Sequence, residues 1–137
     1  MPERKTLERA RKARREGKAP TTQAGEFVRE EIEHVREGKH GARSTKQAIA
    51  IGLSKARRAG VKLKPPKRGQ ASARTRKSAA RAYRAGQSGS RRKPSAKRSR
   101  AVRRALEREP RRAATHEALS KQARSAASRR RRRRAPA

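Results

Sequence analysis

The chain contains no cysteine and no tryptophan, and only one phenylalanine and one tyrosine. Without cysteine there is no disulfide framework, no thiolate nucleophile and no cysteine-based zinc site. So few aromatics argue against modules that stack splayed bases on aromatic platforms, which leaves contacts to a nucleic-acid backbone. Large apolar residues are almost as scarce. Leu, Ile, Val and Phe number 13 of 137, well under the ~20% that marks a disordered chain when charge is high. Long hydrophobic runs are missing too. Met1-Pro2-Glu3-Arg4-Lys5 is followed by no apolar stretch of signal-peptide type, and the run Ala48 to Leu53 is too short to span a bilayer. A cytoplasmic protein with no membrane partner is expected.

What the chain has in excess is positive charge: 44 Lys+Arg against 11 Asp+Glu, a net +33. Duplex DNA carries one negative charge per ~1.7 Å of axis, so 33 positive charges would match about 56 Å of it. No ordinary metabolic enzyme needs such a field, and its self-repulsion opposes a compact state. The expected partner is a polyanion. An acidic membrane surface fits less well, because membrane-surface helices carry bulky apolar faces and the basic stretches here carry alanine.

Charge and apolar residues divide the chain. Residues 1–63 hold 17 basic and 8 acidic side chains, while 64–137 hold 27 and 3. Nine of the 13 large apolar residues lie between Thr22 and Leu63. There the spacing predicts a helix from Thr21 or Thr22 to about Glu37, with Ala24, Val28, Ile32 and Val35 on one stripe and Gly38 as its stop. A second helix opens at Ser44, where Ser44-Thr45-Lys46-Gln47 fits a capping box with Gln47 reaching back to the Ser44 backbone. Its stripe is Ile49, Leu53 and Ala56, and Gly60 with Val61 closes it. Gly52 reads either as a close helix–helix approach or as a weak spot.

The fold expected is all-α: a charged N-terminal helix (1–17), a helical hairpin core (21–63), a basic linker with a helix in it (64–94), and an Arg/Ala-rich tail with two helices (95–137). Residues 64–137 are expected to be mostly disordered when free and partly helical on a polyanion. A lone hairpin reads as marginal, so self-association, as a homodimer through 22–63, or a partner is expected.

The candidate nucleic-acid-binding residues follow the basic tracts. They are Arg74, Arg76 and Lys77; Arg91, Arg92, Lys93, Lys97, Arg98 and Arg100; Arg103, Arg104, Arg111 and Arg112; and Arg129, Arg130, Arg131, Arg132, Arg133 and Arg134. Lys39, Arg43 and Lys46 surround the loop Gly38–Ser44, which reads either as a phosphate site at a helix N-terminus or as a glycine turn before an N-cap. Catalysis finds no support. His34, His40 and His116 show no metal-ligand spacing among themselves and read as solvent-exposed. Glu30, Glu33 and Glu37 read as helix-face partners of Lys or Arg. No metal, no cofactor and no enzymatic activity are expected.

The segment Thr45-Lys46-Gln47-Ala48-Ile49-Ala50-Ile51-Gly52-Leu53-Ser54-Lys55-Ala56 resembles the core motif of a family of small, uncharacterised bacterial proteins, a domain of unknown function with a Lys-Gln-Ala-Ile-Ala-Ile-Ala-Leu-Ser core. The resemblance covers roughly residues 20–63 and, less closely, His116–Ser120. Gly52 stands where alanine is commoner. The resemblance implies a bacterial source and a compact helical core, and it carries over no catalytic residues. Function then rests on charge: sequence-nonspecific DNA binding of the histone-like, nucleoid-associated kind. The rivals are an RNA- or ribosome-associated basic protein and a protein-interaction module tethered to nucleic acid.

Overall fold

Alanine is the best helix former, and it is the residue most often interleaved with arginine and lysine along this chain. The computed structural model, which describes residues 2–89, 93 and 95–134, is accordingly all-helical. Six α-helices follow one another: α1 Arg4–Arg15, α2 Pro20–Glu37, α3 Thr45–Arg58, α4 Ala73–Ser88, α5 Ala96–Glu107 and α6 His116–Arg134. A single 3₁₀ turn, Arg112–Ala114, stands between the last two, and no β-strand occurs among the described residues. No helix among them is long and apolar enough to cross a membrane.

The helix ends follow local chemistry. Pro20 opens α2 at a position where its missing N–H costs nothing, so no side-chain cap from Thr21 or Thr22 is used. Gly38 ends α2 in the left-handed conformation. Ser44 caps α3 by accepting from the Gln47 N–H at 3.2 Å. Gln47 reaches back one residue further than the box predicts, accepting from the Arg43 N–H at 2.6 Å. Ser72 and Ser95 cap α4 and α5 in the same manner as Ser44, each accepting from the N–H three residues on.

Two small apolar clusters hold the fold. One joins Ile32, Val35, Ala42 and Ala48 to Ala113 and Ala114, with Val28 and Leu119 packed against it. The other joins Ala10, Ala24, Phe27, Ala56 and Val61, with Leu7, Leu53 and Leu63 at its edge. Helix α3 therefore turns a different face inward from the one its large residues suggest. Ala48, Gly52 and Ala56 are buried, while Ile49 and Leu53 are only half-buried. The reason is distance. A methyl group at Gly52 would stand 2.6 Å from the Val28 Cα, so the backbones of α2 and α3 approach too closely for anything larger. Gly52 marks a close approach.

The long disordered tail expected beyond Pro65 is corrected by the structure, which forms α4, α5, the 3₁₀ turn and α6 there. Large apolar residues were the wrong measure for this half. Ala79, Ala82, Ala113 and Ala114 are buried, and small side chains let backbone groups do the docking. Gly41 donates to the Leu106 carbonyl at 2.8 Å and Ala42 to the Pro110 carbonyl at 3.0 Å. The Thr45 hydroxyl donates to the Ala113 carbonyl at 2.6 Å, and Arg36 Nε to the Ala114 carbonyl at 2.9 Å. Helix α4 lies on α3, where Gln87 donates to the Gly60 carbonyl at 3.2 Å. Helix α5 buries none of its residues.

Candidate functional site

The basic tracts stay at the surface because burying an unpaired cation costs far more than it returns. Arg74, Lys77, Lys93, Lys97, Arg98, Arg100, Arg103, Arg104, Arg111 and Arg112 are exposed, and Arg76 is half-buried. Arg91 and Arg92 lie outside the described residues. The six arginines Arg129, Arg130, Arg131, Arg132, Arg133 and Arg134 are all exposed and continue α6 to its end. Arg133 also donates to the Gln70 carbonyl at 3.4 Å, which brings the end of α6 to the start of α4. Among the candidate residues, the only ion pairs the described structure contains are Arg103 with Glu107 at 3.2 Å and those of Lys39.

The loop before α3 is less of a phosphate cradle than its sequence suggests. Lys39 turns to Glu3 at 3.3 Å and Glu37 at 3.4 Å, which holds its ammonium above the ordinary lysine range. Arg43 and Lys46 remain exposed. Arg43 instead borders a cleft of about 410 Å³ with Ser44, Arg112 and Lys121. A second cleft of about 460 Å³ lies on the other side of the 3₁₀ turn, between Arg36, Arg111, Arg112 and His116. Both clefts share Arg112 and Thr115. The structure thus gathers basic residues from the first and second halves of the chain around the 3₁₀ turn.

Sequence reasoning missed a second constellation. Glu30 and Glu31, on α2, are 3% and 1% exposed, and Lys55 from α3 comes between them. Lys55 Nζ pairs with Glu31 Oε1 and lies 3.8 Å from Glu30 Oε2. The other Glu30 oxygen accepts the Glu3 N–H, which ties the entry of α1 to the middle of α2. His34 and His40 are not solvent-exposed as expected. Each side chain is 14% exposed, and the two rings meet edge to face with centroids 6.0 Å apart. His34 Nε2 lies 2.9 Å from Glu3 Oε1, and His40 Nε2 lies 3.2 Å from Glu31 Oε2. Hydrogen bonds from His34 and then Lys39 hold the Glu3 carboxyl below the usual carboxylate range. His116 does lie at the surface.

The sequence did carry a signal for this cluster. Glu31 and His34 stand three residues apart, hence on one face of a helix, and His40 follows just after the glycine stop. Glu33 and Glu37 do behave as surface partners, pairing with Arg29 and Lys39. Glu30 and Glu31 do not. They sit on the side of α2 that faces α3, where both are buried against Lys55.

Residues 4–68 match a family of unknown function (DUF6496), so the similarity takes in α1 as well as the α2–α3 pair. No curated protein and no solved structure matches the chain.

Proposed function

We propose that this protein binds nucleic acid without regard to sequence, through the phosphate backbone, and that DNA is its main partner. The observation that carries the reading is the run Arg129–Arg134, exposed along the last turns of α6 with no carboxylate of the described residues paired to it. At a rise of about 1.5 Å per residue, six guanidinium groups crowd into roughly 9 Å of helix. Such a density is unfavourable for a free chain and is relieved by a polyanion, which releases its condensed counterions on binding. Lys97, Arg98, Arg100, Arg103 and Arg104 on α5 extend the same surface.

The finer readings are part of the same proposal. Helices α2 and α3 serve as a hairpin core for the basic helices, and a homodimer through 22–63 doubles the charge presented. Val102 and Leu106 on α5 and Leu119 on α6 are too few to form the bulky apolar face of a membrane-surface helix, which favours a nucleoid-associated, histone-like role over a membrane surface. Crosslinking in cells followed by sequencing of the bound DNA and RNA tests the reading. Recovery spread over the genome without a consensus motif is the expected result. Enrichment of ribosomal RNA over DNA, or a single dominant DNA motif, overturns it.

A further inference from the structure

We propose that Glu31, His34 and His40 form a binding site for a first-row divalent metal ion, zinc being the one the ligand set favours. One ligand atom from each of the three lies within 4.8 Å of the others. The argument turns on the protons. His40 Nδ1 lies 2.8 Å from the Gly41 carbonyl, which only accepts, so Nδ1 carries the ring's hydrogen. In a neutral ring that leaves the Nε2 lone pair facing Glu31 Oε2 at 3.2 Å. Two acceptors then oppose each other at a carboxylate that is 1% exposed and whose Oε2 has no hydrogen-bond donor. A cation belongs between them. Two ligands about 2.0–2.2 Å from a tetrahedral zinc stand about 3.4 Å apart, close to the separation seen.

The surroundings match those of a metal centre. Metal-bound imidazoles and carboxylates are typically held by a partner on their other polar atom. Here Gly41 holds His40, Lys55 holds Glu31 through Oε1, and Glu3 holds His34 through Nε2. Four carboxylates (Glu3, Glu30, Glu31, Glu37) against two ammonium groups (Lys39, Lys55) leave the patch two negative charges, in a chain that is otherwise strongly positive. Two imidazoles and one carboxylate suit zinc and its neighbours, whereas magnesium and calcium prefer oxygen alone. The slightly exposed ring edges of His34 and His40 give the ion a way in. The inference rests on the donor set of Glu31, His34 and His40 and not on nucleic-acid binding.

The test uses the full chain, stripped with a chelator and free of nucleic acid, titrated with zinc chloride by calorimetry and with cobalt chloride by visible absorption. One zinc per chain is expected, with an intense cobalt spectrum of the tetrahedral kind. His40→Gln and His34→Gln should each weaken zinc at least ~100-fold, while His116→Gln leaves it unchanged. Far-UV circular dichroism on the same samples confirms that each variant is folded, and a zinc-induced rise in melting temperature, lost in His40→Gln, gives a second reading. Failure to bind millimolar zinc overturns the proposal. Binding that survives both substitutions, or falls equally in His116→Gln, overturns it as well.

Discussion

A methyl group on Gly41 would stand 1.8 Å from the carbonyl oxygen of Glu109, so the two backbones are in direct contact. The obstacle is main chain on both sides, and neither can swing away as a side chain would. Gly41→Ala must therefore push the 106–114 segment off the α2–α3 loop. Overpacking of this kind costs about 1–3 kcal/mol. Amide exchange should show faster exchange at Ala114, Thr115 and Leu119 in the variant, with the middle of α2 protected as before. Unchanged protection at Ala114, Thr115 and Leu119 would mean that the contact is looser than drawn.

Gly52→Ala tests the other close approach. Helix propensity alone predicts a gain of about 1 kcal/mol, since alanine replaces glycine inside a helix. The contact with the Val28 backbone predicts a loss of about 1–3 kcal/mol. The loss should win. A urea midpoint lower than that of the parent chain is the expected outcome, and a higher midpoint would show that α2 and α3 have room between them.

Lys55 is the cation between two buried carboxylates. Lys55→Met keeps much of the packing and removes the charge, leaving Glu30 and Glu31 to repel each other out of water. Breaking a buried pair from one side costs about 3–5 kcal/mol, a large share of what a domain of this size has to spare. Thermal unfolding should register a sharp drop. Adding Glu31→Gln to the same chain should restore part of it, because one of the stranded charges is then gone.

For nucleic-acid binding, the salt dependence counts phosphate contacts. Each contact contributes about −0.9 to the slope of log affinity against log salt on duplex DNA. Replacing all six residues of Arg129–Arg134 with glutamine should flatten that slope by up to about 5 in fluorescence anisotropy. The loss should be the same for unrelated duplex sequences. An unchanged slope would place the interface elsewhere on the molecule.

Much of the helix pattern was legible because helix ends depend on local chemistry. Gly38, Ser44 and Gly60 act where their residue types predict, and α1 and α3 lie close to the boundaries the sequence suggests. Packing was less legible. Sequence reading searched for large apolar side chains, so it chose Ile49 and Leu53 for the seam of α3, whereas Ala48, Gly52 and Ala56 form the buried face; of its two readings of Gly52, the close approach is the one the structure takes. The same bias dismissed 64–137 as tail, since docking through Ala113, Ala114 and backbone carbonyls leaves no hydrophobic periodicity to detect. The Glu31–His34–His40 cluster escaped for another reason. His40 reaches it only because the chain reverses at Gly38, and that turn sets a distance that residue spacing does not reveal.

The continuation of α6 through Arg134 has a consequence for valence. Successive residues on an α-helix are rotated by about 100°, so six consecutive arginines point to every side and define no binding face. A duplex laid along one side uses only part of them. On the proposed reading the arginines opposite would be left for a second strand or duplex, so the end of one helix would act as a cross-linker and compaction of long DNA would need no dimer.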